Sequence, residues 1–197
     1  PLIAVHPQHV AQSVLDPVTG QSLEYRALST GPDKSIWITA LANDLGRLAQ
    51  GVGTRMPTGT NPIVFIKRHA VPTARQVTYG RLVSSIRPTK VETHRVRLTV
   101  GGDKLDFPGL TATQCASLTT TKCLLNSTVS TPNAKFMVLD VKNFYYGTPM
   151  ERYEYMKLPL KLIPQEIVDK YQLLDLVSDG YIYIEIRKGM PGLKQAG

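Results

Sequence analysis

Cysteine is nearly absent from this chain: only Cys115 and Cys123 carry thiols, at neither Cys-x-x-Cys nor zinc-ligand spacing. A disulfide framework and a structural zinc site are therefore not expected, and both thiols read as buried or idle. The four histidines, His6, His9, His69 and His94, are scattered, so any metal site must be built from carboxylates. No run of about 18 apolar residues occurs, and the first residues lack the charged, apolar and small-residue layout of a secretion signal; a soluble, intracellular protein is the expectation. No internal repeat or low-complexity tract is present, which argues against a solenoid or a disordered chain. Acids are scarce as well, 15 against 23 basic residues, and no two aspartates are adjacent.

What is present is enough for a core: 197 residues with 42% hydrophobic content suit one ordinary domain or two small lobes. The net charge of +8 is concentrated. Residues 62–101 hold Lys67, Arg68, Arg75, Arg81, Arg87, Lys90, Arg95 and Arg97 against the single acid Glu92, eight minus one, or +7 of the total. A patch of this kind matches a polyanion, nucleic acid being the commonest, although a solvated basic face accounts for it equally well.

Periodicity sets out an α+β chain. The first thirty or so residues read as an extended arm with at most one short helix. Ile36, Trp37, Ala40, Leu41, Leu45 and Leu48 recur at helical spacing before Gly51, with Trp37 as a packing anchor. Strands are expected over Ile63–Ile66, Val77–Arg87 and His94–Val100, as a hairpin with a third neighbour. In them Arg95, Arg97 and Thr99 share one face, and Arg81 and Arg87 share another with Val83 and Ser85, so the two strands would jointly present a basic surface. A helix is expected within Thr111–Ser130, a short strand over Tyr153–Leu158, a helix over Pro164–Tyr171, and a final strand over Tyr181–Arg187 with its isoleucines inward.

The run Lys135-Phe-Met-Val-Leu-Asp140 is expected to bury Phe136, Val138 and Leu139 in a strand that ends on one carboxylate. Taken alone, Asp140 reads first as the acid that ends a strand and opens a turn. The functional alternative is a carboxylate holding a divalent ion against a triphosphate.

Three segments, in order, resemble the reverse transcriptase domain of copia-type retrotransposon polyproteins. Arg95-Val-Arg-Leu-Thr-Val-Gly-Gly102 resembles that family's Lys-Ala-Arg-Leu-Val-Ala-Lys-Gly strand, Leu139-Asp-Val-Lys-Asn143 its first catalytic motif, and Gly192-Leu-Lys-Gln-Ala196 its Tyr-Gly-Leu-Lys-Gln-Ala motif. Tyr155-Met156 falls where the family has Val-Tyr-Met, and the likeness runs from about Trp37 onward. It implies the fingers and the start of the palm of a right-hand polymerase. The segments would be an arm (1–34), a helical lead-in (35–60), a basic fingers hairpin (61–110), the start of the palm (111–147) and the remainder of the fingers (148–197).

By that resemblance Asp140 would be the first catalytic aspartate and a ligand of Mg2+ (or Mn2+), with the carbonyl of Val141 as a further ligand. Arg97, with Arg95 beside it, would contact the incoming dNTP. Tyr145 would pack under its sugar and exclude a ribose 2′-hydroxyl, and Gly192, Lys194 and Gln195 would line the template and nucleotide edge. Lys67, Arg68, Arg81, Arg87 and Lys90 would hold nucleic acid. Implied partners are an RNA template, a DNA primer and the rest of the polyprotein, in a cytoplasmic particle or the nucleus, with no membrane. The chain departs from the pattern at Phe144, Tyr145, Pro191 and Gly101, the last standing where the family has lysine. It also lacks the family's Tyr-x-Asp-Asp motif, so it reads as an incomplete piece that does not polymerise alone. The alternative is a catalytically dead nucleic-acid-binding remnant.

Overall fold

The computed structural model describes residues 13–109, 116–139, 141 and 143–195. Among them are five strands: β1 (Ile63–Ile66), β2 (Val77–Ile86), β3 (His94–Val100), β4 (Pro149–Pro159) and β5 (Tyr181–Lys188). They form one sheet in the order β1-β5-β4-β2-β3. β2 and β4 pair in parallel and the other neighbours are antiparallel. With α-helices α1 (Tyr25–Leu28), α2 (Lys34–Leu48), α3 (Leu118–Ser130), α4 (Phe144–Gly147) and α5 (Gln165–Lys170), the architecture is α+β.

β2 and β3 form the expected hairpin, but β1 is not its third neighbour. It pairs with β5 at the opposite edge, Ile63 facing Ile186. The long connection after β3 lets β4 and β5 enter the sheet between β1 and β2, and β4 takes the place beside β2, Val77 facing Tyr155.

The strict alternation of β5 sends Ile182, Ile184 and Ile186 into the core, where all three are fully buried. Leu41, Leu45 and Leu48 of α2 meet this inner face and are equally inaccessible. Each such side chain contributes about 1.5–3 kcal/mol by leaving water. Trp37 is buried with its ring edge-on to His94, centroids 4.9 Å apart, and α1 adds Tyr25 and Leu28 to the same core.

α2 packs chiefly on β3, the edge strand of the sheet. Asp44, buried on that helix, accepts the Leu98 N–H at 2.9 Å and the Arg47 guanidinium at 3.1 Å. Farther along the same edge the Val100 N–H donates to the Pro191 carbonyl at 2.9 Å. An edge that would otherwise offer free ladder groups is thereby occupied.

The expectation for Phe136–Leu139 fails. These residues adopt no regular structure, and Phe136, Met137, Val138 and Leu139 are all exposed. A strand needs a ladder partner for its backbone. The β3 edge is taken by Asp44 and Pro191, and no other strand of the sheet pairs with the run. α3 before it starts at Leu118, capped by the Ser117 hydroxyl accepting from the Thr120 N–H, and buries none of its residues. The first part of the expected helix, 111–115, lies outside the described residues, as does Cys115.

Candidate nucleotide and nucleic-acid site

The segment after β5 is held against the end of β3 by close backbone packing. Gly192, at φ +95°, sits so near Val100 that a Cβ would lie 2.1 Å from the Val100 carbonyl oxygen. A Cβ on Gly102 would likewise lie 2.0 Å from the Gly192 oxygen. Only glycine adopts that φ and that approach without strain. The Gly192-Leu-Lys-Gln segment and the Arg95–Gly102 segment, distant in sequence, are thus in direct contact.

α4 docks against the same region. Gly189 lies under Tyr145, a Cβ there falling 2.8 Å from the Tyr145 carbonyl oxygen, and its N–H donates to the Thr148 carbonyl at 3.0 Å. Tyr146 is buried in the core, and burial first of all raises its phenol above the ordinary value, with Asp44, Arg97 and Arg95 all near enough to act on it. Tyr145 points the other way, half exposed. It lines a cavity of about 470 Å³ together with Phe107, Met150, Arg152 and Gln195. The Gln195 Oε1 is buried and has no hydrogen-bond partner among the described residues, so an acceptor stands ready at the wall.

The sheet register puts Arg81 opposite Thr99, Val83 opposite Arg97 and Ser85 opposite Arg95. All lie on the outer face, as the alternation predicts. Arg81 and Arg97 are exposed and enter no ion pair among the described residues. Arg95 is half-buried with its Nε unpartnered. Burial, then the neighbouring Arg97, lowers its guanidinium below the ordinary value, though it remains a cation.

Arg87 donates to the Glu92 backbone carbonyl at 2.9 Å and lies 3.5 Å from the Glu92 carboxylate, which also receives Arg47 at 2.9 Å. Lys90 is exposed in the hairpin turn. Lys67 and Arg68 line a groove of about 1070 Å³ on the outer face with Lys157 and Tyr183, where Arg68 is paired with Asp179. Lys194 is exposed.

Neither known protein families nor curated proteins nor solved structures supply a match to this chain. The site therefore rests on its own geometry.

Asp140 lies outside the described residues. Val141 is exposed, and its carbonyl accepts the Phe144 N–H at 3.3 Å. Among the described residues no three His, Cys, Asp or Glu side chains gather into a metal-holding group. No helix there is long and apolar enough to cross a membrane.

Two features escaped sequence reasoning. Asp44 is one; its only trace was an acid on the apolar stripe of α2. The other is a row of tyrosines on the outer face. The alternation of Tyr181, Tyr183 and Glu185 showed that they share a side, but the neighbours of β5 were not legible.

Proposed function

We propose that the chain is the fingers and the opening part of the palm of an RNA-directed DNA polymerase, the reverse transcriptase of a copia-type retrotransposon polyprotein. One observation carries the reading: segments that resemble separate motifs of that enzyme come together in space. Gly192 packs on Val100, Gly189 packs on Tyr145, and Tyr145 and Gln195 share one cavity. A wall with an aromatic ring and a free amide acceptor suits the sugar of a nucleotide, and exposed Arg97 suits its triphosphate.

Asp140 and the Val141 carbonyl are the proposed holders of Mg2+ or Mn2+, the ion that would neutralise charge on the triphosphate. The described residues do not by themselves complete a ligand set, so what this chain's own groups do is bind and orient. Tyr145 fixes the sugar, Gln195 accepts a hydrogen bond, and Arg97 draws the phosphates toward β3. RNA template and DNA primer would lie along the cations of the outer face.

The exposure of Phe136–Leu139 favours a second reading, a chain that binds nucleic acid without catalysis. The deciding experiment is calorimetric titration of the chain with dTTP and with UTP in Mg2+. The polymerase reading expects dTTP to bind better than UTP, Tyr145→Ala to erase that preference, and Arg97→Ala to weaken both about tenfold. An absence of nucleotide binding, or an unchanged preference in Tyr145→Ala, leaves the binding reading. Template-dependent incorporation by the isolated chain would contradict its expected inactivity.

A further inference from the structure

The sheet has a second, outer face, which the segment between β1 and β2 crosses in part, with Arg75 over the Tyr155 ring and Lys67 and Arg68 across a groove from Lys157 and Tyr183. Its rungs follow from the register: Tyr79 stands beside Lys157, and Lys157 beside Tyr183. Tyr155 and Tyr183 are buried but stand outside the core cluster that holds the isoleucines of β5. Cations lie over rings along this face: Lys157 Nζ is 4.5 Å from the Tyr181 centroid and the Arg187 guanidinium 5.7 Å from that of Tyr153. Tyr79 and Tyr153 remain 43% exposed, which leaves ring surface open to solvent.

Tyr79 is seated in a way that an ordinary surface tyrosine is not. A Cβ on Gly101 would lie 2.6, 2.7 and 2.8 Å from three atoms of its ring, so the ring rests on bare backbone that only glycine leaves free. Its hydroxyl donates to Asp103 Oδ1 at 2.8 Å, and the Gly101 N–H donates to its carbonyl at 2.9 Å. One side of the ring is thus packed, its tip is tied, and the rest faces solvent between Arg81 and Lys157. A fixed aromatic surface among cations loses little freedom when a flat ligand lands on it.

We propose that this outer face binds single-stranded nucleic acid, with bases stacking on Tyr79 and Tyr153 and phosphates held by Arg81, Arg97 and Lys157. Every base has a face to stack, so recognition is of single-strandedness and not of sequence. A duplex keeps its bases inside and can use only the cations. The proposal rests on the nucleic-acid part of the function given above and is independent of nucleotidyl transfer.

The test is fluorescence anisotropy of the full chain with labelled oligo(dT), oligo(U) and a duplex of the same length, about twenty nucleotides, without dNTP or divalent ion. Both single strands bind, and comparison of the two sets the preference between DNA and RNA. Tyr79→Ala weakens them about tenfold, Tyr79→Phe stays within about twofold, and the duplex is unaffected by either change. Equal loss for duplex and single strand overturns the proposal, as does poly-glutamate competing as well as oligo(dT). Photocrosslinking of a bromouridine oligonucleotide to the unaltered chain gives a second readout, with adducts on Tyr79 or Tyr153 expected; adducts confined to other residues refute it. Failure of dTTP to bind removes the polymerase reading and leaves these results unchanged.

Discussion

Asp44 shows how much one side chain can organise. Its carboxylate is buried, which raises its pKa above the ordinary carboxylate value, yet it caps the Leu98 N–H and faces Arg47, with Arg95 and Arg97 near. Asp44→Ala strands both a backbone donor and a guanidinium, at a cost of about 3 kcal/mol, whereas Asp44→Asn keeps an acceptor and costs less. Urea denaturation of the two variants checks the order, and equal stability would show that the cap is idle. Tyr25 titrates where stability can be followed directly. Burial pushes its phenol up to about 12 from 10.0. The folded state holds the proton more tightly than the unfolded one, so this contribution is complete below pH 10 and lost as pH rises from about 10 to 12, about 3 kcal/mol in all. Tyr25→Phe, which cannot ionise, flattens that part of the stability profile, as alkaline denaturation midpoints would record.

At the scale of elements, much of the fold could be read in advance. β3 and the isoleucines of β5 came from alternation, β1 from a short apolar run, and α2 from its 3.6-residue stripe. What could not be read is which strands meet, because alternation fixes a strand's faces and not its neighbours. The same limit governs the candidate site. The shared face of Arg81 and Arg97 follows from local pattern, while the contact of Gly192 with Val100 depends on two segments nearly a hundred residues apart. The run Phe136–Leu139 misled for a related reason: hydrophobicity signals a wish for burial, and this sheet provides no place for it. Four consecutive exposed apolar residues form a self-association hazard. Val138→Lys is expected to reduce light scattering on warming while leaving the unfolding midpoint unchanged, since Val138 touches no core. A lowered midpoint would place the run in the packed structure after all.

For the molecule as a whole, the charge of +8 is less uniform in effect than in count. Arg81 and Arg97 are exposed and unpaired among the described residues, while Arg87 shares Glu92 with Arg47. Binding of a single strand should therefore fall with salt, and Arg81→Ala should make the log–log slope shallower by about 0.7, whereas Arg87→Ala changes it little. Equal slopes for the two variants would mean that charge is read only in bulk. The sheet order also sets a timetable. Ile63 pairs with Ile186, so β1 leaves the ribosome long before its partner, by roughly ten seconds at ordinary synthesis rates. Through that interval an Ile-Val-Phe-Ile strand has nothing to close on, and β2 also waits for β4. A nascent-chain force profile should show no folding step until β5 clears the exit tunnel. Slow codons between β3 and β5 would then lower the yield of native protein without altering a single residue.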